Sequence, residues 1–95
     1  MRIVWTKRYL LELARIGDYI AMHNPRAANR IVNDIHSKTH GLLSNNPFLG
    51  RRGEIVGTRE LIIPGTPYIV AYRVEDTHIA ILFVQHGARE WPEDA

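Results

Sequence analysis

A chain of 95 residues suffices for one domain, expected to span 1–95, and buries roughly 60–65% of the surface its unfolded form exposes. Its 45% hydrophobic and 23% charged fractions exclude disorder as the default reading, and the absence of cysteine excludes thiol catalysis and thiolate metal sites. The net charge of +2 hides a polarity: nine basic residues against three acids through Arg52, then three against seven from Gly53 onward.

So small a domain with no disulfide to staple it suits a reducing cytoplasm, the expected compartment. Met1 to Lys7 lacks the basic and apolar regions of a signal peptide. No apolar run approaches the roughly 18–20 residues of a membrane span, so no membrane partner is expected.

In chain order, Ile3-Val4-Trp5 reads as a short strand and Thr6 as an N-cap. Tyr9, Leu10, Leu13, Ile16 and Ile20 mark one face of a first helix over Lys7–His23. Gly17 within it costs helix propensity or permits a close helix–helix approach. Asn24-Pro25 is a sharp boundary, with Asn24 capping a second helix and Pro25 at its first position. Ala28, Ile31, Val32, Ile35, Leu42 and Leu43 continue that helix, which ends before Asn45-Asn46-Pro47. So short a joint predicts an antiparallel helical hairpin. A Gly- and Arg-rich connection follows over Phe48–Thr58. Strands are expected at Arg59–Ile63, Tyr68–Val74 and His78–His86, the last the most apolar and hence central. Pro64-Gly65-Thr66-Pro67 and Glu75-Asp76 are the turns between them. Trp91-Pro92 anchors a polar tail. The expected fold is α+β, β-α-α-β-β-β, with the helical hairpin packed on an antiparallel three-stranded meander.

Ten of the twelve basic residues are arginine, the side chain suited to bidentate pairing with carboxylate or phosphate. Cleavage of RNA by a 2′-hydroxyl needs a base, an acid and a cation. The candidates for those roles are His86, Arg89 and Arg59, with Arg73 beside them. A two-residue Glu75-Asp76 turn would place Arg73 opposite His78 and His86 opposite Gly65, separating Arg73 from His86 by roughly 26 Å. Arg59, Arg73 and His78 then share one end of the sheet, and His86 and Arg89 the other. On that geometry His86 reads first as a strand-end histidine bonded to backbone. Arg51 and Arg52 on their Gly-flanked loop read equally as an anion site or as a solubilising pair. His36 and His40, at i and i+4, form a two-ligand face without a third ligand. No metal and no cofactor is therefore expected.

The segments Gly57-Thr58-Arg59-Glu60-Leu61, Tyr68–Val74 and Ile81–Arg89 resemble, in order and spacing, the C-terminal half of RelE/ParE superfamily toxins of type II toxin–antitoxin systems. Asn46–Arg51 looks like that family's loop after the second helix, so the resemblance covers nearly the whole chain. It implies a hetero-oligomer with a cognate antitoxin whose acidic, poorly ordered C-terminal segment folds onto the toxin, and DNA contact only through that antitoxin. Basic positions of the ribonuclease members fall on Arg59, Leu61, Ile69 and Arg89, and their late tyrosine near Ala95. Leu61, Ile69 and Ala95 can neither stabilise a phosphorane nor move a proton. The pattern is thus closer to the ParE branch, which poisons DNA gyrase without being hydrolytic. On this resemblance Arg51, Arg52, Arg59, Arg73 and Arg89 are expected to contact target or antitoxin. The alternatives are a ribosome-dependent mRNA endonuclease using His86, Arg89 and Arg59, and a degenerate module that only binds antitoxin.

Overall fold

The computed structural model describes residues 1–88 and 91. Seven elements follow one another: β1 (Arg2–Trp5), α1 (Lys7–Ala21), α2 (Pro25–Asn45), β2 (Arg51–Arg52), β3 (Arg59–Ile62), β4 (Tyr68–Val74) and β5 (His78–His86). Thr6 starts α1: its backbone is extended and its hydroxyl accepts the Tyr9 amide at 3.2 Å. Asn24 starts α2 in the same way, its side chain accepting the Ala27 amide at 3.1 Å, and Pro25 fills the first turn, where no amide is needed. At Asn46 the backbone is extended again, and Pro47 follows.

The hairpin lays one face on the sheet. Tyr9 and Leu13 from α1 and Ile35 and Leu43 from α2 meet Leu61, Ile63, Val70, Tyr72, Ile79, Ile81 and Val84 in one core. Gly17 serves the close-approach role: a Cβ there would lie 3.0 Å from Cγ2 of Val32 on α2. Thr39 is wholly buried within α2, and its hydroxyl donates to the Ile35 carbonyl at 2.7 Å, so its burial strands no polar group.

The sheet has five strands in the order β1-β5-β4-β3-β2. The α+β class and the helical hairpin are as the sequence implies, and the strand count is larger. β1 joins the sheet parallel to β5, pairing Arg2 with His78 through Trp5 with Ile81. Arg51-Arg52, expected as loop, forms a short edge strand antiparallel to β3. β4 holds the middle position. β5 is interior because β1 covers its other edge as far as Trp5, which explains its apolar character.

The register between β4 and β5 also differs from expectation. Arg73 pairs with Ala80, not His78, and His86 pairs with Tyr68, not Gly65. The connection is longer than Glu75-Asp76, with the Glu75 amide donating to the His78 carbonyl at 2.8 Å and Val74 opposite Ile79. An irregularity at Ala71/Tyr72 then adds one unpaired residue, Leu82, to β5. Six residues still separate the level of Arg73 from His86, roughly 20 Å along the sheet. The two ends of the sheet therefore remain distinct.

Candidate functional site

At one end, the arginines of β2, β3 and β4 surround the segment from Phe48 to Thr58. Arg59 pairs with Tyr72 in the ladder. Its guanidinium donates to the Gly50 carbonyl at 2.8 Å and the Phe48 carbonyl at 3.4 Å, and lies over the Phe48 ring at 5.1 Å. Glu60, next along the strand, projects to the other face. Its side chain is 3% exposed. One carboxylate oxygen accepts Arg51 Nε and Nη2 at 2.9 Å, and the other accepts the Glu54 amide at 2.8 Å. The Gly50 amide donates to the Tyr72 hydroxyl at 2.8 Å. Burial raises the pKa of that hydroxyl, while the Gly50 amide and the Arg59 charge pull it down. Arg73 Nε reaches the Gly57 carbonyl at 3.4 Å. The Thr-Arg-Glu run is thus a set of staples holding the loop before it. Arg51, Arg59 and Arg73 spend donors on this protein, and Arg52 is exposed at the rim of a cleft of about 480 Å³ beside Phe48, Val56 and Thr58.

At the other end lies a cleft of about 450 Å³ between α1 and the ends of β4 and β5. Glu12, Arg15, Ile16 and Tyr19 line it from α1, at the spacing of one helical face, and Tyr68, Val84 and His86 from the sheet. His86 sits edge-on to Tyr68 at 5.7 Å, and its Nδ1 accepts the Ala88 amide at 3.0 Å. The neutral ring therefore carries its proton on Nε2. Burial and the nearby Tyr19 raise the Tyr68 pKa, keeping it a neutral donor. Beyond Trp5 the outer edge of β5 has lost its partner strand. There Glu12 accepts the Val84 amide at 3.4 Å, and its other oxygen stands 3.7 Å from Arg8 Nε. His86 is thus brought together with Glu12, Arg15, Tyr19 and Tyr68, and not with Arg59 or Arg73. Arg89 lies outside the described residues, as does Ala95. The i, i+3, i+4, i+7 spacing of the α1 residues was visible in the sequence. Nothing there said that the strand carrying His86 would face them.

His36 and His40 serve no metal-like cluster: among the described residues no group of three possible ligands gathers. Instead, the Tyr9 hydroxyl lies 3.1 Å from His36 Nδ1, and the His36 ring lies tilted against Trp5 with centroids 4.0 Å apart. Burial, and then the charge of His40, lower the His36 pKa. Burial holds the Tyr9 hydroxyl far above the ordinary phenol value.

The hairpin-on-sheet fold has counterparts in known proteins. A family model described as the ParE toxin of the type II toxin–antitoxin system parDE matches residues 3–91. The chain belongs to the ParE toxin family. This toxin is 41% identical over 92 residues to Y4kP of Sinorhizobium fredii, a protein named as a toxin, covering 97% of this chain and 94% of that one. It is 32% identical over 88 residues to the toxin RelE2 of Caulobacter vibrioides, covering 93% and 97%. Among solved structures it superposes on a chain of the chromosomal ParDE toxin–antitoxin system of P. aeruginosa with a TM-score of 0.82 at 28% identity, covering 90% of this chain and 95% of that one. A chain of the toxin–antitoxin complex RelBE2 of Mycobacterium tuberculosis matches with a TM-score of 0.59 at 26% identity and the same coverage. The relatives carry both RelE and ParE names, so kinship gives a type II toxin of the RelE/ParE superfamily and leaves the choice of target to the site.

Proposed function

We propose that this toxin is neutralised in the cytoplasm by a cognate antitoxin whose acidic C-terminal segment folds onto it, and that once free it poisons DNA gyrase by binding, not by cutting RNA. One observation carries the choice of target. Arg59 and Arg73, the cations on which a ribonuclease reading would draw besides Arg89, are tied to backbone carbonyls at the end of the sheet away from His86. Leu61 lies in the core, and Ile69 is 8% exposed, so neither position offers a charge to a phosphorane. An antitoxin partner is supported by the ParDE and RelBE2 neighbours, both from toxin–antitoxin systems.

The test uses the purified toxin in two parallel assays. With gyrase and supercoiled plasmid, linear DNA held by the enzyme should accumulate. With translating ribosomes, mRNA should stay intact. In cells induced without antitoxin, thymidine incorporation should stop before amino-acid incorporation. Ribosome-dependent mRNA cuts that vanish in His86→Ala would overturn the reading. They would favour a ribonuclease built on the α1–β5 cleft, where His86 meets Tyr19, Tyr68, Glu12 and Arg15.

A further inference from the structure

The α1–β5 cleft contains a group that the fold itself leaves unused. Tyr68 is 8% exposed, yet its hydroxyl makes no hydrogen bond among the described residues. Among the described residues no fully buried side-chain polar atom lacks a partner, so the Tyr68 hydroxyl is not sealed from solvent, and Tyr68 lines the cleft. A phenol buried over nine-tenths of its surface whose hydroxyl is not sealed off is a donor held ready for something that enters.

The groups around it define what enters. Arg15 is exposed on the cleft wall, and its guanidinium forms no ion pair or hydrogen bond among the described residues. Tyr19 is 68% exposed and presents a flat ring, steadied by an edge contact with His23 at 6.3 Å. His86 adds a second exposed ring and an Nε2–H donor. The floor between them, Ile16 and Val84, is apolar. The one carboxylate, Glu12, is engaged by the Val84 amide and by Arg8.

We propose that this cleft binds single-stranded nucleic acid, with one base against the Tyr19 and His86 rings and one phosphate against Arg15 and the Tyr68 hydroxyl. The pairing of flat aromatic faces with unspent cationic and hydroxyl donors is the chemistry of a nucleotide. A carboxylate side chain of an acidic peptide would use the donors and leave the rings without a partner. Through Arg52 the chain carries nine basic residues against three acids, an excess that favours a polyanion as ligand. Base and phosphate are shared by DNA opened at a cleavage site and by mRNA. The sequence reading allowed DNA contact only through an antitoxin, whereas this site touches the strand directly. It goes beyond the gyrase reading and does not depend on it.

The experiment is fluorescence anisotropy of labelled octanucleotides, one of deoxythymidine and one of uridine, titrated with the full chain at low and moderate salt. Tyr68→Phe removes only the hydroxyl and Arg15→Gln only the charge. Each should weaken binding about tenfold. Arg52→Gln, at the far end of the sheet, should change it less than about twofold. Thermal melting confirms that each variant folds. Equal binding of both oligomers assigns the site to strand backbone and base, as DNA at a gyrase cut would use it. Binding of the uridine oligomer alone assigns it to RNA. No saturable binding overturns the proposal. So does equal weakening by Arg15→Gln and Arg52→Gln, which would mean diffuse charge attraction. Displacement of the oligomers by a glutamate octapeptide at lower concentration would give the cleft to an acidic peptide instead.

Discussion

Gly50 shows how tightly one residue is held where the loop after α2 meets the sheet. Its amide donates to the Tyr72 hydroxyl and its carbonyl accepts Arg59, so both backbone groups are spoken for. A Cβ there would lie 2.7 Å from the Tyr72 hydroxyl and 2.8 Å from the Glu60 carbonyl, and the second of these belongs to backbone that cannot swing aside. Gly50→Ala should therefore destabilise the toxin by about 1–3 kcal/mol, read as a lower urea midpoint at unchanged slope. The same loop contacts give Arg59 a structural duty in the fold. Its Nη1 serves two carbonyls and its plane lies over the Phe48 ring, so the guanidinium is held against the loop after α2. Its position in the family pattern was legible from the sequence. Its use as a staple was not, because that depends on where Gly50 and Phe48 lie, nine and eleven residues earlier in the chain.

At the scale of elements, local chemistry governs beginnings and ends. Thr6, Asn24 and Pro25 place the helix starts within the sequence itself, since a cap acts over three residues. Asn24→Ala removes the acceptor of the Ala27 amide and should cost about 1 kcal/mol, a fall in melting temperature of roughly 4–8 °C for a domain of this size. The strands over Tyr68–Val74 and His78–His86 were equally legible, because β-branched and aromatic runs bounded by turn residues need no distant information. Strand pairing was not. β1 finds β5 across more than seventy residues, β2 is recruited by Glu60 through Arg51, and the irregularity at Ala71/Tyr72 shifts the ladder by one. A one-residue shift reverses which face a side chain takes, and here it gives His86 the face of Tyr68 and α1.

The whole molecule is joined at the corner where Trp5, Tyr9 and His36 bring β1, α1 and α2 together. His36 is held there with its pKa below the ordinary imidazole value, by burial and by His40. The folded state thus prefers the neutral ring. The stability it contributes is fully present above the unfolded value of about 6.5 and is lost as pH falls through the depressed folded value. Melting temperatures should therefore drop on going from neutral to mildly acidic pH, and His36→Gln should flatten that dependence. An equally steep drop in the variant would locate the titration elsewhere.

What the sequence determined by itself is what acts over short spans: two capped helices, the main strands, an α+β order, a polarised charge and a family pattern covering nearly the whole chain. Those follow from periodicity, capping and turn chemistry, each of which is settled within a few residues. Tertiary structure alone decided which charges are spent and which are available. It tied Arg51, Arg59 and Arg73 to the protein's own acceptors and left Arg15 on α1 without one among the described residues. It also set Tyr68 and His86 against a helix face some fifty to seventy residues away in sequence. The reason is physical: a hydrogen-bond donor is committed by whatever acceptor folding places within about 3 Å of it, and sequence spacing carries no measure of that distance.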